Sequence, residues 1–88
     1  YIDDGASKAL KSGKSLLPSG ITKVSGNFKK GDNILIINNN NQEFARALSS
    51  FTSEEINKIK GLQSAQIENI LGYASKSEIV HKDDIVIL

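Results

Sequence analysis

The apolar residues of this chain fall into short runs separated by Gly, Asn and Pro, and this pattern limits the fold more than any other feature. Five stretches have the pattern of strands, namely residues 21–24, 34–37, 42–51, 79–80 and 85–88. The asparagines at 38–41 fit a tight hairpin turn between two of them. Five to six short strands predict a mainly β fold of the α+β class, a partly open barrel with short helices at its ends.

Three segments carry helix signals. Asp3 or Asp4 can cap a helix that runs to about Ser12, and Gly13 can end it. The following loop, residues 14–20, has an apolar centre around Leu16 and is expected to pack against the domain.

The clearest local signal is the run Thr52-Ser53-Glu54-Glu55, a capping box in which Thr52 and Glu55 satisfy each other's backbone amides. Ile56 and Ile59 predict the buried stripe of this helix, and Gly61 predicts its end. A further short helix is expected over residues 65–71. Its predicted cap is Ser64, its predicted stop is Gly72, and its predicted apolar face is Ile67, Ile70 and Leu71.

Length and composition predict one small domain. The chain has 88 residues, of which 39% are hydrophobic and 6% aromatic, so an aliphatic core is expected. It has no cysteine, which excludes disulfides and fits a reducing compartment, so we expect a cytoplasmic protein. No apolar run approaches the ~20 residues that span a bilayer, and no signal peptide is visible. Because the chain starts at Tyr1 and contains no Met, we expect residues 1–88 to be one domain of a longer protein.

Charge is unevenly distributed along the chain. The formal net charge is +1, but residues 1–30 hold six Lys against two Asp, which gives +4. Residues 31–88 hold five basic and eight acidic residues, which gives −3. A basic segment can contact phosphate or an acidic partner. The alternative is an ordinary solvated face, which charge alone favours.

Motifs for catalysis are missing from the sequence. The run Ser12-Gly13-Lys14-Ser15 resembles part of a phosphate loop, but the motif requires Gly at position 8, where this chain has Lys8. The single histidine, His81, has no cluster of metal ligands near it in sequence, although Asp83 and Asp84 permit a local contact. Glu55 is explained by the capping box and Glu54 by the helix dipole. We therefore expect no catalytic, cofactor-binding or metal-binding residues in this chain.

The first half of the sequence resembles PUA domains, modules named for pseudouridine synthases and archaeosine transglycosylases. The resemblance lies in Asp3-Asp4-Gly5-Ala6, in Gly13-Lys14-Ser15-Leu16-Leu17-Pro18-Ser19-Gly20-Ile21 and in Phe28-Lys29-Lys30-Gly31-Asp32. The second half is similar to the version at the C-terminus of bacterial glutamate 5-kinase (gamma-glutamyl kinase). That similarity lies in Phe51-Thr52-Ser53-Glu54-Glu55, Ile67-Glu68-Asn69-Ile70-Leu71-Gly72-Tyr73 and Glu78-Ile79-Val80-His81-Lys82-Asp83-Asp84.

The resemblance implies a PUA-like pseudo-barrel and a parent enzyme that phosphorylates L-glutamate with ATP and Mg²⁺ in the first step of proline synthesis. It implies an upstream amino-acid-kinase domain as partner, a homo-oligomeric parent, no membrane partner, and an accessory role for this chain. RNA binding is the alternative, because RNA-binding relatives use the surface around the first helix. The matching residues here, a candidate RNA or partner surface, are Gly5, Lys8, Lys11, Lys14, Ser15, Leu16, Leu17 and Pro18. A purely structural role for the three apolar residues, sealing the barrel end, is the other reading.

Overall fold

The computed structural model describes residues 1–73 and 76–88. Its helices are α1 (Asp4–Lys11), α2 (Ser53–Ile59) and α3 (Ile67–Leu71), and its strands are β1 (Asn33–Ile37), β2 (Glu43–Leu48) and β3 (Ile85–Ile87). Three 3₁₀ turns, Pro18–Gly20, Ser64–Gln66 and Lys82–Asp84, connect them. In this part of the chain no helix is long and apolar enough to cross a membrane.

The sheet is antiparallel, with β2 between β1 and β3. The asparagine turn joins β1 to β2 as predicted. The side chain of Asn38 accepts hydrogen bonds from the amides of Asn40 and Gln42, both at 3.0 Å, and Asn41 adopts a φ of 59°. The predicted hairpin is therefore confirmed, although its second arm ends at Leu48 rather than at residue 51.

The α+β fold class is confirmed, but the described residues form three strands and not the five to six that the sequence predicts. Residues 21–24 and 79–80 were both predicted as strands. In the structure each contributes one isolated bridge, Ile2↔Ile21 and Leu16↔Val80. The physical reason is that a strand requires a ladder of successive bridged residues, and each of these segments forms a bridge at one residue.

The core is aliphatic, as the composition predicts. It lies between the inner face of the sheet, α2 and the loop that follows α1. Its most deeply buried members, at 2% exposure or less, are Ile2, Ala45, Phe51, Ile56, Ile59, Ile67, Ile79 and Val80. At ~25 cal/mol per Å² of buried apolar surface, such side chains supply most of the free energy that stabilises so small a domain.

The capping box of α2 is confirmed. The Thr52 hydroxyl accepts from the Glu55 amide at 3.1 Å, and the Glu55 carboxylate accepts from the Thr52 amide at 2.8 Å. Ile56 and Ile59 are buried, as predicted, and Gly61 ends the helix with a φ of 78°. The local sequence therefore predicts both ends of this helix correctly.

The start of α3 differs from the prediction. A 3₁₀ turn precedes it, and Gln63 occupies the cap position of that turn, where its amide donates to the Gln66 side chain at 3.1 Å. Ser64 was predicted as the cap, but its buried hydroxyl has no partner among the described residues. Ile67 is buried, whereas Ile70 is 49% exposed, so the predicted apolar face is only partly used. Gly72 ends the helix with a φ of 82°, as predicted.

Candidate binding surface around the first helix

Both ends of helix α1 are fixed by residues that the sequence predicts, Asp3 at the start and Gly13 at the end. The Asp3 carboxylate accepts from the Ala6 amide at 2.8 Å and caps the helix. At the other end Gly13 takes a left-handed φ of 80°, which a side chain disfavours. The Lys14 amide then donates to the Ala9 carbonyl at 3.0 Å, so the chain turns sharply into the next loop.

The loop over residues 14–20 is fixed by hydrogen bonds to distant parts of the chain. The backbone of Leu16 exchanges two hydrogen bonds with the 79–80 segment, of 3.0 and 2.8 Å. The Ser15 hydroxyl accepts from the Lys82 amide at 2.8 Å, and the Pro18 carbonyl accepts from the Gly61 amide at 2.8 Å. The predicted packing is confirmed for Leu16 and Pro18, which are buried, and is wrong for Leu17, which is 45% exposed.

A groove of about 280 Å³ separates α1 from this loop. The two walls touch at one end, where a Cβ added to Gly20 would lie 2.6 Å from the Cβ of Ala6. Gly5 is different, because a Cβ there would meet its nearest neighbour at 3.5 Å, an ordinary contact. The groove is lined by Asp3, Gly5, Ala6, Ala9, Lys14, Ser15, Leu16, Leu17, Ser19 and Gly20.

The structure brings together some of the surface residues named from sequence and separates others. Gly5, Lys14, Ser15, Leu16 and Leu17 line the groove, whereas Lys8, Lys11 and Pro18 do not. Lys11 lies instead against the sheet, with its Nζ 5.7 Å from the centre of the Phe44 ring. All three lysines are exposed.

Five lining residues were not named individually from sequence, and of these only Asp3 lies outside the matching stretch 5–21; the five are Asp3, Ala6, Ala9, Ser19 and Gly20. A signal for two of them was available, because Ala6 and Ala9 follow Gly5 at helical spacing and form a face of small side chains. The groove combines this small apolar wall with one cation, Lys14, and the capping carboxylate of Asp3. Among its described lining residues none is aromatic, so it offers no platform for stacking a base.

Two polar groups elsewhere have structural partners. The Nδ1 of His81 accepts from the Asp83 amide at 3.1 Å, which caps the Lys82–Asp84 turn, and lies 3.5 Å from the Asp83 carboxylate. The Glu55 carboxylate also accepts from the Tyr73 hydroxyl. Burial raises the pKa of Glu55, but hydrogen bonds from Thr52 and Tyr73 and the charge of Lys30 outweigh it, so the pKa is lowered.

Within residues 1–73 and 76–88 there is no group of three or more His, Cys, Asp or Glu side chains that could hold a metal ion. The Ser12–Ser15 run follows a helix rather than a strand, so the phosphate-loop geometry is not formed there either.

Comparison with known proteins identifies relatives of the whole chain. The model of the PUA domain family matches residues 1–71. Glutamate 5-kinase of Pelagibacter ubique is 64% identical over 85 residues, which cover 97% of this chain and 23% of that protein. Glutamate 5-kinases of Thermoanaerobacter sp. and Rhizobium rhizogenes are 47% and 49% identical over 100% and 98% of this chain. The chain spans about a quarter of the length of these relatives.

Proposed function

The chain belongs to the PUA domain family, and from this premise we propose that it is the accessory, regulatory domain of a glutamate 5-kinase. The observation that carries the proposal is the identity of 43–64% over nearly the whole chain with proteins of that name. The similarity includes the part beyond residue 71, where the family match stops. The full-length protein would transfer phosphate from ATP to L-glutamate in the cytoplasm, in the first step of proline synthesis.

An accessory role fits the chemistry of the described residues better than a catalytic one. Glu55 is used to cap α2, and His81 caps a turn. ATP and Mg²⁺ are therefore assigned to an amino-acid-kinase domain elsewhere in the same polypeptide, which is also the proposed partner of this domain. We expect no stoichiometric binding of ATP or glutamate to residues 1–88 in a calorimetric titration, and such binding would contradict the assignment.

The groove and the exposed end of α1 form the proposed contact surface. Residues 1–30 carry a net charge of +4, which favours an acidic partner surface. A docked domain shifts a two-state enzyme only if it contacts the two states differently. Its effect is therefore expected on regulation or assembly rather than on phosphoryl transfer.

The test removes residues 1–88 from the full-length enzyme and compares turnover, inhibition by proline and oligomer mass. We expect a shortened enzyme that still phosphorylates glutamate, with at least one of the other two properties changed. Complete loss of turnover in a folded shortened enzyme would refute the accessory role.

A surface variant locates the contact. K8Q/K11Q/K14Q should reproduce part of the effect of the deletion. The matched control K58Q/K60Q/K76Q removes three lysines that lie outside residues 1–30 and should behave as the unmodified enzyme. Equal effects of the two triple variants would show that overall charge, and not this surface, matters.

RNA binding is the alternative for the same residues, and the groove does not favour it. The three lysines near α1 offer about two to three phosphate contacts, so binding should be weak, show little sequence preference and fall steeply with salt. Tight binding to one RNA that resists salt would support this alternative. So would an enzyme unchanged in all three assays by removal of residues 1–88.

A further inference from the structure

The third strand leaves one edge of the sheet open. Among the described residues β3 pairs with β2 on one side, and no strand lies on its other side. The Leu88 amide donates to the Phe44 carbonyl at 3.0 Å, so the backbone of Leu88 faces β2. Because successive residues of a strand direct their N–H and C=O groups to opposite edges, the groups of Ile85 and Ile87 point to the open edge. Outside the β2–β3 ladder neither residue makes a backbone hydrogen bond to any described residue.

The side chains along this edge are apolar and exposed. Residues 85–88 contain no charged residue and no Pro, and the pairing of β3 with β2 has no register shift. Val86 is 66% exposed, Leu88 61% and Ile87 42%. Sheets usually protect an open edge with charged side chains, Pro or bulges, because an unprotected apolar edge pairs with further strands. The edge of β3 is therefore suited to a partner strand.

The positions of the free backbone groups fit a second copy of the same strand. Ile85 and Ile87 lie on either side of Val86, so a two-fold axis at Val86 places Ile85 of one copy opposite Ile87 of the other. Residues opposed in this way exchange both N–H···O bonds, as in the hydrogen-bonded pairs of an antiparallel ladder. The two pairs together use all the N–H and C=O groups that these residues direct to the edge. The two Val86 side chains then meet across the axis in a close, non-hydrogen-bonded pair.

The same register continues the inner face of the sheet. Ile36, Ala45 and Ile87 lie side by side across the three strands. In the second copy this row would continue into Ile85 and Ala47, which are also side by side. Ile36, Ala45 and Ala47 are buried, whereas Ile87 is 42% exposed at the open edge. Pairing would therefore place an apolar side chain beside Ile87 and extend the hydrophobic core across the axis.

The outer face of the paired sheet keeps like charges apart. Arg46 lies directly opposite Val86 in the β2–β3 ladder. Two β3 strands would therefore separate the two copies of Arg46, whose strands would lie about 14 Å apart at ~4.8 Å per strand. This distance exceeds the Debye length of about 8–10 Å in ordinary salt, so their repulsion is screened.

We propose that the open edge of β3 is a contact between two copies of this protein, paired antiparallel about a two-fold axis at Val86. Their sheets would join into one sheet with three strands from each copy. So short an edge buries far less than the ~1,200–2,000 Å² of a stable interface, so separate copies of the domain should pair only weakly. We expect the contact in a homo-oligomer of the longer protein, where the other domains raise its effective concentration. The contact does not depend on kinase activity.

The experiment uses the full-length protein, with any cysteine outside residues 1–88 replaced by serine, and traps the contact as a disulfide under mild oxidation. Residues 1–88 contain no cysteine. V86C should form an intermolecular disulfide, because directly opposed non-hydrogen-bonded residues have Cα atoms about 4.5 Å apart, within reach of a disulfide. The matched control I87C lies on the same edge, but its Cα would be about 9 Å from that of its copy. Its disulfide should therefore form at least about tenfold more slowly.

A second control, L48C, distinguishes edge pairing from docking of one sheet face on another. Leu48 is 46% exposed and lies on β2. Edge pairing keeps the two copies of Leu48 on strands about 14 Å apart, so L48C should form no intermolecular disulfide. Equal rates for V86C and either control would overturn the proposal. So would a folded V86C protein that forms no disulfide.

Amide hydrogen exchange in the full-length protein, at single-residue resolution, provides a measurement that needs no cysteine. The Ile87 amide should exchange within about tenfold of the Val86 amide, which faces β2. V86K places like charges opposite each other across the axis and should speed Ile87 exchange at least about tenfold. The matched control V86T keeps an uncharged, β-branched residue and should leave the exchange unchanged.

Two results of this measurement would overturn the proposal. One is an Ile87 amide that exchanges as fast as an exposed amide in the unmodified protein. The other is protection that survives V86K, which would mean that another segment covers the edge. Kinase turnover, measured in parallel, tests the proposed function separately. A V86C disulfide in a protein without kinase activity would retain the edge contact and refute the function.

Discussion

Replacing Thr52 with alanine should destabilise the domain measurably, because Thr52 forms one half of the box that begins α2. The hydroxyl of Thr52 accepts from the Glu55 amide at 3.1 Å, and alanine leaves that amide without its partner. The effect should reach the core, since α2 contributes Ile56 and Ile59, which are at most 2% exposed. The cap thus positions a helix that supplies part of the hydrophobic core.

The expected loss is ~1 kcal/mol in the free energy of unfolding, within the range of about 0.5–2 kcal/mol for loss of a Thr cap. For a domain of this size, 1 kcal/mol lowers the melting temperature by roughly 4–8 °C. The T52S variant keeps the hydroxyl and is the matched control, with an expected change of a few tenths of a kcal/mol. Because Glu55 returns a bond of 2.8 Å to the Thr52 amide, T52A and E55A should not be additive.

Urea denaturation of the five proteins, unmodified, T52A, T52S, E55A and T52A/E55A, measures these differences at constant slope. A second readout is pH. Because the pKa of Glu55 is lowered in the folded state, its contribution is fully present above about pH 4.3, its ordinary value, and is lost as pH falls through the folded value. The gap between E55A and the unmodified protein should therefore narrow in acid. Equal midpoints for T52A and T52S would refute the capping argument.

Two further predictions concern the groove and the first residue. G20A should lower the free energy of unfolding by ~1–3 kcal/mol, because its Cβ would lie 2.6 Å from that of Ala6. G5A should be tolerated, because the nearest neighbour of its Cβ would lie at 3.5 Å. Equal melting temperatures for the two variants would contradict this. Because the pKa of the Tyr1 amino group is lowered by burial and by Lys23, the stability of the 88-residue chain should rise as pH increases through the folded pKa towards about 8. N-terminal acetylation should remove that rise in a thermal melt, and a rise that persists would point to another group.

Sequence alone predicted the features that local chemistry determines. The capping box at Thr52, the stop at Gly13 and the asparagine hairpin each depend on residues within a few positions of one another, and each is confirmed. The prediction of Ser64 as the cap is wrong because the turn begins one residue earlier, where the Gln66 side chain accepts from the Gln63 amide, and the pattern of polar residues does not distinguish the two positions.

The candidate surface was predictable only in part, for a physical reason. Helical spacing places Lys8 and Lys11 on the exposed side of α1, but it does not show that Lys11 reaches back to the Phe44 ring. The groove depends on where the loop crosses the helix, and Gly20 sets that distance through a contact with Ala6, fourteen positions away. Contacts between segments distant in sequence leave no periodic signal along the chain.

The strand predicted over residues 21–24 shows why the predicted strand count was too high. This segment has the alternation of a half-buried strand, yet within residues 1–73 and 76–88 its backbone finds partners beyond Ile21 only at Tyr1, through the Lys23 carbonyl and the Thr22 amide. Alternation of apolar and polar residues indicates a segment suited to a β-sheet. A β-ladder also requires a partner strand along the same edge.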